Sequence, residues 1–261
     1  TRAAPGLRSA RGLAWRLQRT VLLTWLVGLT AMGAAFGSVT GSVEDVVAEN
    51  DEMLAVLSRL APGATVTDLY LGFVMALLAI AVGAYTVQGL QRMRAEEATG
   101  RLEPVLASAT GRTRWMGGHL VLVAGGTLAV LTTTGLAAGL THAVATGRGV
   151  DAVLEPVVGA WAQAPAVLAL AGVVVALFGL LPRAGGPAAW ALLGAALVMG
   201  QLGALLDLPG WALNLSPFTH VPLVPAEDLT AAPVLWLLAV AAGTTALGVA
   251  TFRHRDLAIP A

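Results

Sequence analysis

Charged residues divide the chain into six apolar stretches, at residues 20–40, 69–90, 119–143, 164–181, 187–206 and 233–252. Each has roughly the 18–20 residues that a helix needs to cross about 30 Å of hydrocarbon. An open strand in lipid would leave its backbone polar groups unpaired, so helices are the only spanning form this pattern allows. Only Pro182 to Gly186 separate the fourth and fifth stretches, which predicts a tight helical hairpin. Gly125 and Gly126 mark where the third would kink. The expected fold is an all-α integral membrane bundle of six transmembrane helices.

Two flanking segments are amphipathic. At helical spacing, Leu7, Ala10, Leu13, Ala14 and Leu17 share one arc, and Arg8, Arg11, Arg16 and Arg19 share the opposite one. This predicts a basic interfacial helix over residues 1–19, lying at the membrane surface before the first span. An unstructured basic tail that only sets topology is the competing reading. The segment lacks a small-residue cleavage site after a short apolar core, so it does not read as a signal peptide. The second segment runs from Ser42 to Leu60 and sets Val46, Val47, Leu54, Leu57 and Leu60 against an acidic face. Ser42 can cap its start, and Pro62-Gly63 ends it.

Composition removes the soluble alternatives. Of 261 residues, 57% are hydrophobic and 11% charged, against about 25% charged in an average soluble domain. Mean hydropathy is +0.78. Cysteine is absent, which excludes disulfides, thiolate metal sites and thiol nucleophiles. Every basic residue is arginine, so the chain lacks the lysine that a P-loop ATPase or a Schiff base needs. If ATP drives it, another polypeptide supplies the engine. The first residue is Thr1 rather than Met, which leaves a fragment, a cleaved half or a trimmed piece open beside a natural half.

Arginine placement sets orientation. Thirteen of the fifteen fall on one side, leaving Arg59 and Arg148 on the other. Acidic residues lean the opposite way, among them Glu44, Asp68, Asp151, Glu155 and Asp207. This places both termini in the cytoplasm.

Candidate chemistry is sparse. The middles of the spans hold no Asp, Glu or Arg, which disfavours ion-coupled transport. His119, His142, His220 and His254 lack metal-ligand spacing, and each reads as a solvated residue near a span end or in a loop. Ser216 with His220 lacks the Gly-x-Ser-x-Gly elbow, and Pro217 and Pro222 point to a turn-rich, partly re-entrant loop. Gly135 and Gly139 form a G-x-x-x-G of the helix-packing kind.

The loop from Arg92 to Trp115 is the longest on the arginine-rich side. By composition it is either a solvated connector or a short helix that docks into a soluble partner. Its sequence, RAEEATGRLEPVLA followed by GRTRW, resembles the loop between the second and third spans of ABC exporter permeases of the type-2 class. Within that class it is most similar to an actinobacterial group of polyketide-antibiotic exporters. VEDVVAENDEMLAVLSRL, TDLYLGFVMALLAIAVGAYTVQGLQRMRAEE, LNLSPFTHVPLVPAEDL and the ending FRHRDL resemble the same group in the same order.

The resemblance implies a permease without its own ATP site, whose loop acts as a cytoplasmic coupling helix seated in a separate ATP-binding cassette subunit. Glu96, Glu97, Gly100, Arg101, Glu103 and Arg112 would contact that subunit, and Arg112 to Trp115 would return the chain to the membrane. ATP and Mg would be held by two copies of the partner, with no cofactor on this chain and no nucleic acid involved. Members of the group carry two six-span halves, and this chain resembles the second. A lipophilic antibiotic or drug would pass between the halves along the second and fifth spans, with Tyr85, Gln88 and Gln201 as candidate lining residues. The rival readings are an ion-coupled secondary transporter and a non-transporting membrane scaffold.

Overall fold

The computed structural model describes residues 10–48, 63–100, 111–203 and 206–255. Within them the chain forms α1 (Ala10–Ser38), α2 (Thr40–Ala48), α3 (Val66–Ala98), α4 (Arg112–Thr146), α5 (Val150–Ala162), α6 (Ala164–Leu180), α7 (Gly185–Leu197), α8 (Gly210–Leu213) and α9 (Ala231–His254). Six helical segments are long and apolar enough to cross a membrane: Gln18–Val47, Val66–Ala98, Arg112–Thr146, Val150–Leu180, Gly185–Leu202 and Ala231–His254. They correspond one to one with the six apolar stretches. The chain is therefore a multi-pass, all-helical membrane protein.

Local signals set the ends. Thr65 and Asp68 form a reciprocal capping box at the start of α3, each side chain accepting from the other residue's backbone N–H. The same helix stops at Gly100, whose φ of 67° is a left-handed conformation that costs glycine little. Pro165 lacks the N–H that would continue the preceding helix, and the fourth span breaks at Gln163 into α5 and α6. The fifth span loosens into a π-helical turn at Val198–Leu202.

Three expectations change here. Residues 10–19 are not a separate helix: they run into the first span as one continuous α1, because no Pro or Gly pair interrupts them. The outer segment begins at Thr40, before Ser42, and residues 49–62 lie outside the described residues. Helix α4 passes through Gly125 and Gly126 unbroken.

Helix α1 packs along α4, α9 packs along α6, and α3 runs through the middle against α1, α4, α5, α6 and α7. Glycine allows the closest approaches. A Cβ at Gly135 would sit 2.9 Å from Val157 Cα and 3.0 Å from the Pro156 carbonyl, and one at Gly139 would overlap the Val153 backbone. This is the packing role expected of that pair. Gly172, Gly179 and Gly248 bring α6 and α9 together in the same way, their backbones meeting where a methyl group would not fit.

Candidate functional site

Helices α3 and α4 flank the longest arginine-side loop, and their facing ends build a polar cluster inside the bundle. Glu96, on the last turn of α3, is 7% exposed. The Trp115 indole N–H, from the start of α4, donates to Glu96 Oε2 at 3.1 Å. Gln18 of α1 donates its amide N–H to His119 Nδ1 at 2.9 Å. That donation leaves the imidazole proton on Nε2, which faces Glu96 Oε2 at 3.5 Å. Trp115 stands edge-on to His119 with ring centroids 5.1 Å apart. Three helices are thus joined through one buried carboxylate, whose Oε1 has no hydrogen-bond partner.

The next residue faces the last helix. Glu97 pairs with the Arg255 guanidinium, and both side chains are largely buried. Arg255 also donates from Nη1 to the Phe178 carbonyl at 2.8 Å. Its guanidinium carbon lies 5.3 and 5.5 Å from the ring centroids of Phe178 and Phe252. Arg112, the first residue of α4, donates from Nη1 to the carbonyls of Phe252, Arg253 and Arg255 at 3.4, 3.3 and 2.7 Å. A cation on those carbonyls complements the negative end of the α9 dipole. Both sides of the loop are therefore anchored, by Glu96 and Glu97 before it and by Arg112 and Trp115 after it.

The residues expected to meet a partner are placed unequally. Glu96 is turned inward, Glu97 and Arg112 are tied to α9, and Gly100 ends α3 in its left-handed turn. Arg101 and Glu103 lie outside the described residues. The cluster contains no nucleophile with a partnering base. Among the described residues no three His, Asp or Glu side chains gather as metal ligands.

The candidate passage residues do not line one space. Tyr85 is 2% exposed, and its ring fills the place a side chain at residue 126 would take. Gln88 Oε1 accepts from the Trp25 indole N–H at 2.6 Å. Gln201 lies in the π-helical turn, its Oε1 buried without a partner. The second span is the central, enclosed helix, so most of its length faces neighbours within this bundle. Ser216 and His220 also part company: the hydroxyl points to the Ala196 carbonyl at 3.5 Å, and the imidazole contacts the Asn214 carbonyl at 2.9 Å.

Two histidines read as solvated are buried instead. His119 is 2% exposed, as above. His142, 0% exposed, contacts Thr40 Oγ1 at 2.8 Å and places Nε2 3.7 Å from Glu155 Oε2, while Arg148 holds the other oxygen of that carboxylate at 3.1 Å. A periodicity signal existed for both. Trp115 and His119 are four residues apart on one face of α4, and His142 continues the face of Gly135 and Gly139 that packs on α5.

Residues 7–253 match a family described as the multidrug efflux system permease Rv1217c, C-terminal domain. The chain is 38% identical over 256 residues to the multidrug efflux system permease protein Rv1217c of Mycobacterium tuberculosis (strain ATCC 25618 / H37Rv). The alignment covers 98% of this chain and 46% of that protein, so the chain spans about half the length of this relative. By the match across its six spans and the loop-flanking helices described above, the chain belongs to the family of the C-terminal domain of the Rv1217c multidrug efflux permease.

Proposed function

We propose that this chain is a six-span permease half of an ATP-driven ABC exporter in a bacterial plasma membrane, moving lipophilic antibiotics or drugs outward. The observation that carries the reading is the 38% identity to a multidrug efflux permease over nearly the whole chain. The anchored loop supports it mechanically. A segment bracketed by Glu97–Arg255 on one side and Arg112–α9 on the other passes a push on the loop to α3, α4 and α9 together. The partners are an ATP-binding cassette subunit, present twice and holding ATP and Mg, and a second six-span half. The arginine-rich end, with both termini, faces the cytoplasm. Movement between inward and outward states is a shift of population that ATP binding drives through differential contacts with the loop.

The test is co-purification in mild detergent with a co-expressed ATP-binding subunit and the second half, reading ATP hydrolysis with and without lipophilic antibiotic. A stable complex whose hydrolysis rises with the drug is the expected result. Absence of a complex with all parts supplied would overturn the reading.

A further inference from the structure

A cavity of about 490 Å³ opens on the flank of the bundle. Its walls come from α4 (Leu120, Ala124) and α9 (Ala242, Ala246), and α3 and α6 form its floor. On the floor Thr86, Leu90 and Val175 are buried, and the α9 rim is exposed at Ala242 and Ala246, so the space is a lateral cleft. Thr86 on the floor and Thr127 on the α4 wall are hydrogen-bonded to each other at 2.8 Å. Thr86 also donates to the Val82 carbonyl, which makes Thr127 the donor between them. The two buried hydroxyls are thereby engaged, and the rest of the lining is almost wholly hydrocarbon.

In a bilayer such a cleft is filled by what surrounds it, because walls facing a void forfeit their dispersion contacts. Its volume is of the order of one fatty acyl chain and lies within the roughly 300–1,000 Å³ of ordinary ligand pockets. Charge at its mouth selects among lipids. The α9 face that carries Ala242 and Ala246 returns after about two turns, roughly 10 Å on, at the exposed Arg253. The Arg112 guanidinium sits beside it on the last carbonyls of α9. Among the described residues two carboxylates lie at this end: Glu97 is paired with Arg255, and Glu96 is enclosed beneath Trp115. Among the described residues the uncompensated charge at the mouth is therefore positive.

We infer that this cleft binds one anionic glycerophospholipid, with an acyl chain between α4 and α9 and the phosphate against Arg253 and Arg112. The inference rests on membrane placement alone and not on the ATP-driven reading. A basic pocket between spans on the arginine-rich side is the arrangement that recognises anionic headgroups, each arginine adding to the preference.

Native mass spectrometry of the purified chain, offered dioleoyl phosphatidylglycerol or dioleoyl phosphatidylcholine at equal concentration, tests it. One retained phosphatidylglycerol, preferred by about tenfold, is expected from two basic side chains near the headgroup. Arg253→Ala should bring the two lipids towards parity without abolishing retention. Ala124→Leu with Ala242→Leu should fill the cleft and release both lipids. If that pair fails to fold, Ala246→Leu on the exposed rim makes the same test. Equal retention of both lipids by the unaltered protein would overturn the headgroup assignment, and undiminished retention after filling would overturn the site. A dimer dissolved by the leucine substitutions would give the cleft to a second copy of the chain instead.

Discussion

Trp115 and Glu96 close the base of the long loop: the indole N–H donates to the carboxylate across 3.1 Å, joining the start of α4 to the last turn of α3. The same oxygen faces His119 Nε2 at 3.5 Å and the other oxygen has no partner, so the burial of this carboxylate depends on few contacts. Trp115→Phe should destabilise the protein by about 1–3 kcal/mol, the cost of stripping a donor from a buried acceptor. Glu96→Gln keeps an acceptor for the indole and removes the charge, so its effect should be smaller. Thermal unfolding in detergent ranks the two variants, and the opposite ranking would show that the contact does not carry the burial.

Glu97 and Arg255 separate pairing from docking. Glu97→Arg sets two guanidiniums against each other and should cost about 3–5 kcal/mol, the range for breaking a buried pair. The exchange Glu97→Arg with Arg255→Glu should recover most of that stability, as a double-mutant cycle on a contacting pair requires. If Glu97 also meets the ATP-binding subunit, the exchanged protein will melt normally yet fail to stimulate ATP hydrolysis. Full recovery of both would confine Glu97 to its partner on α9.

Glycine at the helix crossings makes a sharper prediction than hydropathy does. Gly139→Ala and Gly248→Ala force a methyl group into neighbouring backbone, and overpacking of this kind costs about 1–3 kcal/mol. Gly28→Ala has nothing within 4 Å of the new carbon and should leave the melting temperature unchanged or slightly raised, as alanine favours the helix. Equal effects at all three positions would refute close packing as the reason for glycine.

Tyr85 and Gln201 are expected to behave differently on substitution. Tyr85→Ala opens a cavity beside Gly126 and should lower stability by about 3–5 kcal/mol, as for other buried aromatic truncations. Gln201→Ala removes a side chain whose amide oxygen has no partner, in a π-helical turn of the kind often found at functional sites. It should leave the melting temperature alone and reduce antibiotic efflux from cells. Unchanged efflux would remove Gln201 from the passage.

Much of the architecture was legible because lipid imposes a one-dimensional rule. A stretch of about 20 apolar residues has to be a spanning helix, and arginine marks one end. The six spans, the hairpin at Pro182–Gly186 and the loop between α3 and α4 follow from that rule, and the packing at Gly135 and Gly139 from the close approach that small residues allow. The candidate site was legible only in part. Glu97 and Arg112 were named only through the resemblance, as contacts for a partner, and their ties to α9 had no signal in the sequence; His119 and His142 were hidden by their position near span ends, where solvation is the ordinary expectation.

The sequence by itself determined how many spans there are and where the long loop emerges, because these depend on hydrophobic length and on charge counted along the chain. Only the tertiary structure decided that Glu97 meets Arg255, 158 positions away, that Gln18 orients His119, and that the second span is the enclosed centre of the bundle. Helices that are apolar on nearly every face carry no strong stripe to say which side is inward. Their neighbours are chosen by where glycine lets backbones approach and where a few polar side chains find partners. Those choices are made between helices, in three dimensions.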